Sequence, residues 1–122
     1  MEKVKSDALE WALRALAQPF SVQIQLYPAG VMVADELAED WGDAFEGVPN
    51  AATDIQQIED MMMLKAGIIE FWTDDGLKRK PLWDEIRMMA RTALLARDLS
   101  TDPPKMSSHT YIIQGHAVKL CD

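Results

Sequence analysis

Residues 31–48, VMVADELAEDWGDAFEGV, hold the clearest periodicity in the chain and its densest run of acid. Counted from Ala34, the residues Leu37, Ala38, Trp41, Ala44, Phe45 and Val48 recur at i+3, i+4, i+7, i+10, i+11 and i+14. That is one apolar stripe of an amphipathic helix, and it must be buried against other elements. The opposite face carries Asp35, Glu36, Glu39, Asp40, Asp43 and Glu46, six acids with no base among them. Such a face is either solvated or meets something positive.

The charge distribution narrows that choice. From Ala15 to Leu64 there is no Lys or Arg against nine acids, so the net charge of −8 resides in the middle of the chain. Nucleic-acid binding needs clustered bases. The one basic cluster, Lys78, Arg79 and Lys80, is short and flanked by Asp74, Asp75, Asp84 and Glu85, so no nucleic-acid partner is expected. No 18-residue apolar run and no secretory signal is present, so no membrane partner is expected either, and a cytoplasmic location follows. A single cysteine, Cys121, excludes internal disulfides and Cys-based zinc sites. At 122 residues and 48% apolar content the chain suits one domain, 1–122, with a core of its own.

Four helices are expected, with a small sheet beside them. Ser6 or Asp7 caps a helix to about Ala17, with Leu9, Ala12, Leu13 and Leu16 as its stripe and Trp11 off it, in need of a second surface. FSVQIQLYP, 20–28, alternates Phe20, Val22, Ile24 and Leu26 with polar residues and reads as a strand. The acidic helix runs to about Glu46, with Gly42 weakening its interior. A third helix spans about 54–66 and ends near Gly67; the segment 68–72 is a strand or a connector, and Thr73 caps a brief helical turn. Pro81 opens the longest helix, about 81–99, with Trp83, Ile86, Met89 or Ala90, Ala93 and Leu94 as its stripe. The tail 109–121 reads as a bent strand or hairpin and is the natural partner of 20–28. The expected class is therefore α+β, mainly helical, with a two- or three-stranded antiparallel sheet.

No catalytic or cofactor motif stands out. Glu36, Asp40 and Asp43 share one side of the acidic helix, but ligands strung along a single helix span more than about 10 Å and cannot close on one ion unaided. His109 and His116 follow Ser107 and Ser108 without a nucleophile elbow, so they suggest no hydrolase. The later helices carry Met61, Met62, Met63, Met88 and Met89, and the chain has four tryptophans, Trp11, Trp41, Trp72 and Trp83. Both residue types supply core or contact surface.

Two blocks, VMVADELAEDW at 31–41 and FWTDDGLKRKPLWDEIRMMARTALLA at 71–96, resemble small bacterial cytoplasmic proteins, some of immunity-protein type. The resemblance implies a small α-rich protein that binds a partner and brings no catalytic residues. The expected function is a non-enzymatic, acidic protein-binding module in which Asp35, Glu36, Glu39, Asp40, Asp43 and Glu46 meet a basic protein partner, with no cofactor and no metal. An immunity-like inhibitor of a basic toxin is one version. The alternatives are a metal-dependent enzyme, with these carboxylates joined by Glu59, Asp60 or His109, and a homodimer joined through its Met and Trp stripes.

Overall fold

The computed structural model of the chain describes the backbone of residues 2–106, 110–113 and 116–119 and the side chains of residues 7–106. Its elements are α1 (Glu2–Leu16), α2 (Phe20–Gln23), α3 (Val33–Glu46), α4 (Thr53–Leu64), a 3-10 turn (Ile69–Trp72), α5 (Asp74–Arg79), α6 (Pro81–Ala96), β1 (Thr110–Ile113) and β2 (His116–Lys119). Helix α1 packs against both α3 and α6, α4 lies on α6, and α5 bridges α3, α6 and the 3-10 turn. One apolar cluster runs through all of them, with Leu13, Leu16, Leu37, Trp41, Ile58, Leu77, Trp83, Ile86 and Leu94 at its centre.

The buried residues fall on the expected stripes. Ala12, Leu13 and Leu16 are buried on α1, Ala34, Leu37, Trp41 and Ala44 on α3, and Trp83, Ile86, Ala90, Ala93 and Leu94 on α6. Helix α3 runs unbroken through Gly42, and Gly67 takes no left-handed backbone; α4 closes at Lys65 instead.

The expected α+β class is corrected. Residues 20–28 are not a strand: α2 and the turns after it are closed by Val22 and Gln23 N–H to the Pro19 carbonyl and by Leu26 N–H to the Gln23 carbonyl. The alternation misleads because the polar member is the one required inside. Gln23 is wholly buried, while Ile24 is 40% exposed. The Gln23 amide donates to the Ala15 and Leu16 carbonyls, each at 3.1 Å, satisfying acceptors that the end of α1 leaves open. Its oxygen accepts from Arg87 at 2.9 Å, and Arg87 also donates to the Leu77 carbonyl at 2.7 Å and to Asp84 at 2.8 Å. A helical turn brings Gln23 to these partners, and 20–28 has no neighbouring strand to satisfy an extended backbone. Between residues 2 and 106 there is no strand, and β1 pairs antiparallel with β2, not with residues 20–28. The body of the protein is helical.

The segment 68–72 becomes a 3-10 turn because its aromatics are tied down. The Phe71 and Trp83 rings stack at 4.7 Å, Trp72 meets both edge-on, and the Trp83 indole donates to the Phe71 carbonyl at 2.8 Å. Gly76 in α5 lets the turn close: a Cβ there would run into the Glu70 carbonyl. The expected cap is in place, with the Thr73 hydroxyl accepting from Gly76 N–H at 2.9 Å. Helix α3, by contrast, has no local side-chain cap. Asp74 accepts the Val33 N–H at 2.8 Å from 41 residues further along the chain.

Past α6, Asp98 adopts φ 57°, and Leu99 N–H returns to the Leu94 carbonyl at 2.9 Å. This left-handed closure turns the chain back over α1. There Gln18, Arg14 and Trp11, on one stripe, donate to the carbonyls of Thr101, Asp102, Pro103 and Lys105. The strap 101–105 is the second surface that Trp11 required.

Candidate functional site

Helix α3 presents its carboxylates outward. At about 100° per residue Asp35, Glu36, Glu39, Asp40, Asp43 and Glu46 lie within an arc of roughly 140°, opposite the buried stripe. Asp35, Glu39, Asp43 and Glu46 are exposed, and none of them forms an ion pair with a described residue. Asp35 and Glu36 also lie in the first turn, where the helix dipole favours negative charge. Asp40 is different: it is half-buried and accepts a 2.5 Å hydrogen bond from the hydroxyl of Tyr27, itself 3% exposed. It anchors the 24–30 turn region to α3.

Several of the described bases are engaged elsewhere. Arg79 pairs with Asp75 at 2.7 Å, and Lys78 lies 5.9 Å from the centre of the Phe20 ring. Arg97 holds Asp54 through two bonds, at 2.7 and 2.9 Å. That guanidinium lowers the Asp54 carboxyl below its ordinary value, against the opposing effect of burial, and Asp54 in turn raises Arg97. Burial pushes Arg87 downward, partly offset by Asp84.

Glu59, one of the carboxylates considered as a partner for a metal, accepts the Trp41 indole N–H at 2.9 Å and so links α4 to α3. Asp60 accepts from Gln56 at 3.0 Å on the exposed side of α4. His109 lies outside the described residues. Among the described residues no group of three or more His, Cys, Asp or Glu side chains gathers as a metal site would. Among the described residues no helix is long and apolar enough to cross a membrane.

The tryptophans and methionines separate. All four indole N–H groups are bonded within the chain: Trp11 to Lys105, Trp41 to Glu59, Trp72 to Lys65 and Trp83 to Phe71. Of the five methionines on the later helices only Met62 is buried; Met61 and Met89 are half-buried, and Met63 and Met88 are 61% and 69% exposed. Met61, Met88 and Met89 line an open trough between α4 and α6, made of two adjoining depressions of about 390 and 470 Å³ that share Gln57 and Met89. Leu64, 70% exposed, continues it at the end of α4. Their spacing in the sequence placed these methionines at or near stripes, as core or contact surface. The signal that pointed outward was the surplus of apolar positions on α4, more than one buried stripe can hold. The chain matches no family model, and no curated protein or solved structure matches it either.

Proposed function

We propose that the protein is a non-enzymatic, acidic binding module for a basic protein partner, an immunity-like inhibitor of a basic toxin being one concrete form. The observation that carries this reading is the outer face of α3. Asp35, Glu39, Asp43 and Glu46 are exposed along about 16 Å of helix with no ion-paired base among the described residues, inside a 50-residue stretch of sequence that contains no Lys or Arg. An ordinary surface intersperses both signs, whereas a one-signed surface projects a field that steers an oppositely charged partner and rejects acidic ones. The helix beneath is fixed by its buried stripe and by the Asp74 cap, so the carboxylates are held on a rigid element.

The test is affinity capture on the immobilised protein at low salt and at about 1 M salt, where screening acts over a few ångströms. It is repeated with Asp35→Lys, Glu39→Lys and Asp43→Lys combined. A basic protein retained at low salt, released at high salt and lost from the variant is the expected result. Capture indifferent to both salt and charge reversal overturns the reading. Asp40 is left untouched because its bond to Tyr27 would confuse binding with folding.

A further inference from the structure

We infer that the trough between α4 and α6 is the docking groove for an amphipathic helix of the partner, with Lys or Arg flanking its apolar face. The inference rests on the reading of the protein as an acidic binding module and specifies what the partner presents. The trough floor is Met61, Leu64, Met88 and Met89, unbranched or flexible apolar side chains that adapt to an incoming surface. Its rim carries Asp54, Asp60 and Glu85, and no Lys or Arg lines either depression. Asp60 and Glu85 form no ion pair with a described residue, while Asp54 is held by Arg97. Arg91, the other nearby base on α6, lies about 60° around the helix from Met88, on the side away from Glu85 and Met89.

An apolar floor edged by Asp60 and Glu85, with no described base paired to either, matches the way grooves take amphipathic helices, whose apolar anchors enter and whose charged flanks meet the edge. The dimensions agree. From Asp54 to Leu64 the trough follows about 15 Å of α4, the rise of roughly three helical turns. Charge decides between occupants: a second copy would bring the same acidic rim and a net −8 against this one, and an anionic membrane would be repelled likewise.

The probe is a synthetic helix of about 14 residues with Leu at i, i+3, i+4 and i+7 and Lys elsewhere, set beside a scrambled isomer of the same composition. Binding to the full chain is followed through the methionine methyl resonances. The expected result is movement of the Met61, Met88 and Met89 methyls with the amphipathic helix and not with the scramble. Affinity should fall about tenfold or more in Leu64→Lys with Met88→Lys, as when anchor contacts are lost. Still methyls, equal binding of the scramble, or undiminished binding by the double variant each overturns the proposal. Methyl shifts that track protein concentration without peptide assign the groove to a second copy and overturn it too. The α3 reading is judged separately, by the capture experiment with Asp35→Lys, Glu39→Lys and Asp43→Lys combined: capture indifferent to salt and charge reversal, with groove methyls still moving with the probe, overturns the α3 reading and leaves the groove.

Discussion

The aromatic side of the molecule and the methionine trough are built from residues with the same capacity for contact, yet they end in opposite states. Around Phe71, Trp72 and Trp83 every ring faces another ring, and each indole N–H has a carbonyl acceptor. Along the trough between α4 and α6, Met88 and Leu64 are exposed and Met61 and Met89 half-buried, beside the carboxylates of Asp60 and Glu85. The difference lies in the polar handle. A buried tryptophan is fixed by its one hydrogen bond, so it specifies a position, whereas methionine has no such constraint and tolerates many neighbours. The first region is thus suited to holding the fold and the second to meeting something else.

Four variants test that contrast. The largest effect is expected for Trp83→Ala, which removes a fully buried ring, its stack on Phe71 and its bond to the Phe71 carbonyl. A loss of about 3–5 kcal/mol in denaturant unfolding is expected; a loss below about 1 kcal/mol would mean that the aromatic side does not hold the fold.

Next is Arg87→Met, which leaves the buried Gln23 oxygen and the Leu77 carbonyl without this donor. At about 1–3 kcal/mol for each unsatisfied group, the two together are expected to cost about 2–6 kcal/mol. A neutral result would show that residues 20–27 can be repacked without it.

A smaller effect is expected for Arg97→Gln, under about 1 kcal/mol because both partners are partly exposed. Its mark is pH dependence. Asp54 has a lowered pKa in the folded protein, chiefly through its hydrogen bond with Arg97. The stabilisation is therefore present above the unfolded carboxylate value and is lost as pH falls through the folded one. The variant should lose part of the acid-induced fall in stability, and an identical pH profile would show that the pair contributes nothing.

The smallest effect is expected for Leu64→Lys with Met88→Lys, each within about 0.5 kcal/mol, as for surface positions away from special features. A loss of several kcal/mol would place these side chains in the fold rather than on a contact surface.

Much of this was legible in the residues. The stripes of α1, α3, α4 and α6 were visible because a 3.6-residue period and an apolar face are properties of local sequence, and Thr73 and Pro81 marked helix starts for equally local reasons. The outward arc of α3 acids followed from the same period. The segment 20–28 failed because its alternation was real but its meaning depended on α1 and Arg87. No period records that a glutamine will be wanted to close another helix's carbonyls. The α3 cap was unreadable for the same reason, since Asp74 lies 41 residues away in sequence.

By itself, then, the sequence determined four long amphipathic helices, a base-free acidic stretch and the absence of disulfide staples. Each depends on spacing or composition along the chain. Only the tertiary structure decided that 20–28 coils rather than extends, that Trp41 and Trp83 are buried while Met63 and Met88 stay exposed, and that the strap 101–105 covers Trp11. The physical reason is that hydrogen-bond partners and shared surfaces are chosen in space. A side chain able to fill a core or face a partner is assigned only when the neighbouring elements have taken their places.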